Sequence, residues 1–248
     1  MINLDKNELA KAGIQFGGPL WQWNPQMRSY IYSKNTKIHI LDLQKIINSC
    51  ERLENYVKSI VEKGQKILFV ATKKQASEIV KEQAIRCGMP YIVNKWKGGF
   101  LTNFGIIKTK LKELQGLNNF FQKDSFKNSP KKERVILEKK RDKLQSIYEG
   151  VINLWKRPEY LFIIGLKKEK TAFNEAKKMG IGVISICSTN CDPRLVDYVI
   201  PGNDDNVKSI SFFASLVADS IIEAKKGTNT ENSFDNKKSN TDIPQESL

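Results

Sequence analysis

Short apolar runs alternate along this chain with stretches whose apolar residues recur every three or four positions. The runs are KIHIL near residue 40, ILFVA at 67–71, YIV at 91–93, LFIIG at 161–165, GVISI at 182–186 and YVIP at 198–201. Their shortness and near-continuous apolarity predict strands buried on both faces, the condition of a parallel sheet. Between them, Ile46, Ile47, Leu53, Tyr56, Val57, Ile60 and Val61 predict an amphipathic helix ending near Gly64, and Ala76, Ile79, Val80 and Ala84 predict a second. EKTAFNEAKKMG reads as a crossover helix closed by Gly180, and VKSISFFASLVADSIIEAKKG as a long final helix with Gly227 beyond its last lysines. This alternation predicts the α/β class.

Two regions depart from the pattern. From Ile106 to Val151 the chain is polar, lysine-rich and helical in two pieces. Ile107, Leu111, Leu114, Leu117 and Phe121 form one narrow stripe; Leu137, Leu144, Ile147 and Val151 form the other. They predict an antiparallel helical hairpin protruding from the sheet domain, with two plain surface helices as the alternative. Near the N-terminus, AGIQFGGPLWQWNPQMRSYIYSKNTKIHILDL is interrupted by glycines, Pro19 and Pro25, and reads as a packed extended arm. The last 22 residues are polar and aperiodic, as expected of a disordered tail. The organisation expected is an α/β domain over 1–105 and 152–226 that carries the arm, a hairpin over 106–151, and a tail over 227–248.

Charge sharpens the picture. The net formal charge is +14, and because the tail leans acidic the body up to Lys226 carries +16. Lys95 to Lys143 alone holds 14 basic and five acidic residues. A surface this basic seeks a polyanion or an anionic membrane. With 34 lysines and seven arginines, phosphate contact through mobile point charges is favoured over bidentate base reading. No apolar run approaches the roughly 20 residues of a membrane span, and no membrane partner is expected. Cys50, Cys87, Cys187 and Cys191 have no Cys-x-x-Cys spacing, which fits a reducing compartment. The acidic residues of MINLDKNELAKAG do not resemble a secretory leader, so a cytoplasmic location is expected.

Signals for catalysis are sparse. The turn after KILFVA is TKKQAS, without the glycines that close around a pyrophosphate, although Thr72, Lys73 and Lys74 at a helix start are candidates for holding a phosphate. Cys187, Cys191 and Asp192 fall short of four metal ligands, and the single histidine, His39, is remote in sequence. Neither metal nor cofactor is expected. Asp204 and Asp205 read as a helix cap and a first-turn acid. Nucleic-acid signals are richer. Trp21, Trp23, Tyr30 and Tyr32 are interspersed with Arg28 and Lys34, and Lys95 and Lys97 flank Trp96 before Gly98 and Gly99. Stacking plus phosphate neutralisation is the usual pair of contacts for structured or unpaired RNA. With Lys73, Lys74, Lys108, Lys110 and Lys112 these residues form the candidate RNA-binding set. Gly98, Gly99, Pro201, Gly202, Asn203, Asp204 and Asp205 are candidate structural turns.

The blocks AGIQFGG, WNPQMRSYIY, IHILDL, ILFVATKKQA, NKWKGGFLTNF and TNCDPRLVDYVIPGNDDNVKSI, with the lysine-rich hairpin between the last two, occur in fixed order from Leu9 to Ala224. In these blocks the chain resembles the bacterial family of small-subunit ribosomal protein S2. The resemblance implies a three-layer α/β/α domain with a flavodoxin-like parallel sheet, a protruding coiled coil and no catalysis. It implies small-subunit ribosomal RNA as partner near the head–body junction, and neighbouring ribosomal proteins, including the first small-subunit protein, whose docking the family supports. No obligate homo-oligomer is expected. Gln15 and Gly18 stand where the family commonly has His, Gly165 where it commonly has an acid, and Ser188 where it often has Asp. An acid-and-histidine metal cluster is thereby dismantled. An α/β enzyme or module binding a phosphorylated small molecule at Thr72–Lys74, and a protein-interaction module docking through the hairpin, are the alternative functions.

Overall fold

The computed structural model describes residues 6–35, 37–122 and 130–238. Residues 123–129 of the lysine-rich segment and the tail beyond 238 lie outside the described residues. In chain order the elements are α1 (Lys6–Lys11), β1 (Phe16–Pro19), β2 (Ile31–Lys34), β3 (Ile38–Leu41), α2 (Leu43–Glu62), β4 (Ile67–Val70), α3 (Lys74–Cys87) and β5 (Tyr91–Ile92). After them come α4 (Phe104–Phe121), α5 (Lys131–Tyr148), β6 (Tyr160–Ile164), α6 (Lys170–Lys178), β7 (Gly182–Cys187), β8 (Tyr198–Pro201) and α7 (Val207–Lys238).

The fold is mixed α/β. Its main sheet has five parallel strands in the order β5-β4-β6-β7-β8. Every residue of β4 is buried, as are all of β6 and β7 except the first of each, so both sheet faces are covered. On one face α7 packs against α2 and α3, and α2 also reaches β8. α6 packs on β7. The crossovers β4-α3-β5 and β6-α6-β7 run in opposite directions across the sheet, and right-handed connection then sets α3 and α6 on opposite faces. Phe69 of β4 and Phe162 of β6, opposite one another in register, meet edge to face at 5.2 Å between ring centres.

Local signals set the helix ends. Asp42 caps α2 by accepting from the Gln44 N–H at 2.9 Å. α3 closes on Gly88 at φ +64°, with the Met89 N–H returning to the Ala84 carbonyl at 2.9 Å. α7 differs from expectation: it runs through Gly227 to Lys238. One glycine in a helix costs only about 1 kcal/mol, and no proline follows until Pro244.

The arm also differs. It folds into a three-stranded antiparallel sheet, β1-β3-β2, an addition to the purely parallel sheet expected. Pro19 and Pro25 mark its 3-10 turns, and the irregular spacing of its apolar residues reflects shifted registers in both strand pairs.

α4 and α5 run antiparallel, Glu113 meeting Lys140 and Lys110 lying nearer Tyr148. Phe104, Ile107, Leu111 and Leu114 bury the base of α4, whereas Tyr148 is the buried residue of α5, with Leu144 and Ile147 partly buried beside it. Burial therefore fades with distance from the sheet. At the base of the pair, a Cβ on Gly150 would stand 2.3 Å from the Tyr91 carbonyl oxygen, while one on Gly116 would meet nothing. In urea unfolding, Gly150→Ala is expected to lose about 1–3 kcal/mol to overpacking. Gly116→Ala is expected to gain roughly 0.5–1 kcal/mol from helix propensity.

Candidate nucleic-acid interface

The turn between β5 and α4 is organised by a residue far along the chain. Glu175, on the buried side of α6, accepts from Trp96 Nε1 at 3.0 Å, Gly99 N at 2.8 Å, Leu101 N at 2.9 Å and Thr102 N at 3.3 Å. Successive N–H groups converge in this way because Gly99 takes φ +87°. Burial alone would raise the Glu175 pKa, but these donors outweigh it and hold the carboxyl below its ordinary 4.5. Trp96 packs 5.0 Å from Phe100, which meets Phe104 at 6.3 Å. Trp96 is therefore a buried anchor instead of a stacking surface, and Gly99 brings backbone close to Glu175, not to an outside partner. Lys95 is left exposed and Lys97 half-buried.

A second polar cluster lies at the carboxyl edge of β4, where the strand order reverses and open α/β sheets tend to bind ligands. Lys73 Nζ lies 2.6 Å from Asp204 Oδ2 and 2.8 Å from Asp205 Oδ1, and donates to the Asp204 carbonyl at 3.0 Å. Burial pulls the Lys73 pKa down, yet the two aspartates overcome it and the pKa ends raised. At Asp204 burial prevails over the ammonium and raises the carboxyl. Buried Glu169 takes the Thr72 N–H at 2.9 Å. Lys73 thus spends its charge inside the protein, and the acids around Thr72 oppose a phosphate there; Lys74 alone of the TKK turn is exposed. The cap expected from Asp204 and Asp205 falls instead to Asn206, whose Oδ1 accepts from the Lys208 N–H at 3.0 Å. Asn203 Oδ1 takes the Asp205 and Asn206 N–H groups, fixing the turn that follows Pro201. Gly202 sits against Phe213, whose ring a Cβ would approach to 2.4 Å.

The arm docks on the loop after β7. Thr189 Oγ1 accepts from the Gly18 N–H at 2.9 Å, and its carbonyl accepts from the Asn24 N–H at 2.7 Å. Trp23 is half-buried between His39, 5.4 Å away ring to ring, and Lys34 Nζ at 5.5 Å. Tyr30 packs partly on the core. Trp21 and Tyr32 are 79% and 77% exposed, and Arg28 and Lys34 are exposed as well. On α4, Lys108 lies over the Phe104 ring, Lys110 pairs with Glu113 at 2.8 Å, and Lys112 is exposed. Lys110 and Lys140 together hold the Glu113 carboxyl down to about 2. The candidate set thus separates into an outward part, which comprises Trp21, Arg28, Tyr32, Lys34, Lys74, Lys95 and Lys112, and a structural part led by Lys73 and Trp96. Glu175 and Thr189 gave no signal in one sequence, because a lone buried polar residue resembles any surface residue until its partners are known.

The model of the family described as ribosomal protein S2 matches residues 9–224. The chain belongs to the ribosomal protein S2 family. Its place is the cytoplasmic small ribosomal subunit, where the family is a non-catalytic, structural RNA-binding constituent. The match coincides with the packed body: Leu9 and Ala224 are the first and last buried apolar residues among those described. Gly165 takes φ +81°, with Lys73 Cε 2.4 Å from where a Cβ would stand. Among the described residues no group of three or more His, Cys, Asp or Glu side chains is arranged to hold a metal ion.

Glu175→Ala is expected to cost roughly 3 kcal/mol or more, since several buried donors lose their acceptor. Because the folded-state pKa is depressed, the stabilisation by wild-type Glu175 is fully present above the unfolded value of 4.5 and is lost as pH falls through the folded value. Denaturant titrations of wild type and Glu175→Gln should accordingly differ by a constant amount at neutral pH and converge in acid.

Proposed function

We propose that the chain binds small-subunit ribosomal RNA as a three-layer, flavodoxin-like domain with an inserted helical hairpin, near the head–body junction, and supports docking of the first small-subunit protein beside it. The sheet domain comprises 1–105 and 152–226, the hairpin 106–151 and the tail 227–248. No obligate homo-oligomer is required. One observation carries the assignment of the RNA surface: cations and aromatics that face outward are separate from those consumed by internal acids. Exposed Lys95 and half-buried Lys97 precede the glycine turn and exposed Lys112 lies on α4, while Trp21, Arg28, Tyr32 and Lys34 crowd the arm. The lysines neutralise phosphates, and Trp21 and Tyr32 offer faces to unpaired bases. Lys108, half-buried over an aromatic ring, and Lys110, paired with Glu113 at the surface, can turn to phosphate at little cost, since a surface ion pair is worth only about 0–1 kcal/mol.

Filter binding to small-subunit ribosomal RNA across a salt series tests this reading. Replacing Lys95, Lys97, Lys108 and Lys112 together by Ala is expected to flatten the log–log salt slope by about 3, near 0.7–0.9 for each phosphate no longer neutralised. Trp21→Ala and Tyr32→Ala should each weaken binding roughly 5- to 100-fold, the worth of one stacked base. An unchanged slope together with unchanged affinity of the aromatic variants would remove these residues from the interface.

A further inference from the structure

The arm is anchored at the carboxyl edge of the parallel sheet, to Thr189 after β7 and to the turn after β8, where the Asn203 N–H donates to the Ile14 carbonyl at 3.1 Å. The amino edge presents a different set of groups. There the segments entering β4 and β6 lie side by side, since Ile67 and Tyr160 are opposite in register. The Tyr160 N–H donates to the Lys66 carbonyl at 3.2 Å, the Lys66 N–H to Glu159 Oε2 at 2.8 Å, and the Gly182 N–H, at the start of β7, to the Glu159 carbonyl at 3.0 Å. Upstream, Leu154 is buried and its N–H returns to the Val151 carbonyl at 2.9 Å. Between buried Leu154 and buried Pro158, the loop turns Trp155, Lys156 and Arg157 outward, and Trp155 is 43% exposed.

These side chains are not used inside the protein. Among the described residues the Trp155 indole makes no hydrogen bond and no ring contact, and exposed Lys66, Lys156 and Arg157 have no carboxylate within ion-pair distance. The acid that lies among them, Glu159, has one carboxylate oxygen committed to the Lys66 N–H. By contrast, Lys81 of α3 meets Glu149 at 3.1 Å, Arg86 meets Asp219 at 2.7 Å, and Lys225 of α7 donates to the Cys87 carbonyl at 2.7 Å.

We propose that the amino edge of the sheet is a second RNA-binding surface, separate from the arm, in which Trp155 stacks on an unpaired base and Lys66, Lys156 and Arg157 hold the flanking phosphates. The proposal rests on the RNA-binding reading above and adds a second point of attachment to it. The chemistry of the loop selects the partner. Trp155 is the large apolar side chain exposed in the two entering segments, with Ile152 partly covered and Leu154 and Pro158 buried, so no apolar rim surrounds it to seat a protein helix. One ring between cations suits a base and its phosphates, and the planar guanidinium of Arg157 can grip a phosphate through two N–H groups. Because both ends of the loop are pinned, little ordering is left to be done on binding. Trp155 precedes β6 and the arm's anchor follows β7, so the two surfaces lie at opposite ends of strands about 15 Å long and can engage two RNA segments at once.

The test uses the full chain and small-subunit ribosomal RNA. Trp155→Ala is expected to weaken filter binding roughly 5- to 100-fold with the salt slope unchanged, and Trp155→Phe, which keeps a ring, should recover most of that loss. Replacing Lys66, Lys156 and Arg157 together by Ala should flatten the log–log salt slope by about 2.5. The two surfaces have no residue in common, so the effects of Trp155→Ala and Trp21→Ala on Kd should multiply. Ultraviolet cross-linking of the wild-type complex should leave a nucleotide adduct on the tryptic peptide that contains Trp155, joined to a different RNA fragment from the one carried by the arm peptide Ser29–Lys34. Wild-type affinity and slope in the Trp155 and basic variants, alongside the loss expected from Trp21→Ala, would overturn the second surface and leave the first standing. No loss in either set would overturn the RNA reading as a whole. In assembled subunits, a protein cross-link on the Trp155 peptide without a nucleotide adduct would assign this edge to a protein and overturn the proposal. The wild-type cross-link decides the matter even where a variant fails to fold.

Discussion

A single buried carboxylate determines where the lysine-rich helices leave the sheet. Glu175 rides on α6 and gathers backbone N–H groups and the Trp96 indole from the segment that feeds α4. Buried donors without an acceptor are costly, so the turn has one stable arrangement while Glu175 is ionised. That arrangement drives Trp96, Phe100 and Phe104 inward and starts α4 from a fixed point. A helix pair whose buried residues are confined to its base takes its direction from that base.

The same use of internal acids recurs along the carboxyl edge of the sheet. Glu169 holds Thr72, and Asp204 with Asp205 holds Lys73. In an enzyme of this architecture that edge opens to a ligand. Here most of its polar groups are taken up by one another, Asp204 Oδ1 being the buried atom left without a hydrogen-bond partner, and the sheet serves as a rigid platform. The unmatched charge lies elsewhere, on the arm and along the helices, where the lysines remain hydrated until a polyanion takes the place of water and counterions. Self-repulsion of a +16 body is the corresponding cost for the free protein.

Arm and sheet are joined at the loop after β7. Thr189 accepts from two points of the arm, the Gly18 and Asn24 N–H groups. His39 is buried beside Trp23, and burial lowers its pKa. Aromatic exposure at Trp21 and Tyr32 thus depends on a partner of the arm that lies 171 residues beyond Gly18 in the chain.

Much of this was legible in the sequence. The apolar runs located the parallel strands because burial on both faces leaves no room for polar alternation, and the three-and-four spacing located the helices, together with the paired stripes of α4 and α5. The family blocks identified the small-subunit role, and charge identified the partner class. What one sequence could not disclose was pairing at a distance. Lys73 and Trp96 carry the same composition signal as Lys95 and Trp21, yet the first two are consumed by Asp204 and Glu175 while the latter face outward. The antiparallel arm sheet and the passage of α7 through Gly227 were likewise decided by partners and packing. Local pattern specifies which segments are buried, but which cation meets which acid is fixed only when the fold brings residues 73 and 204, or 99 and 175, within hydrogen-bond reach.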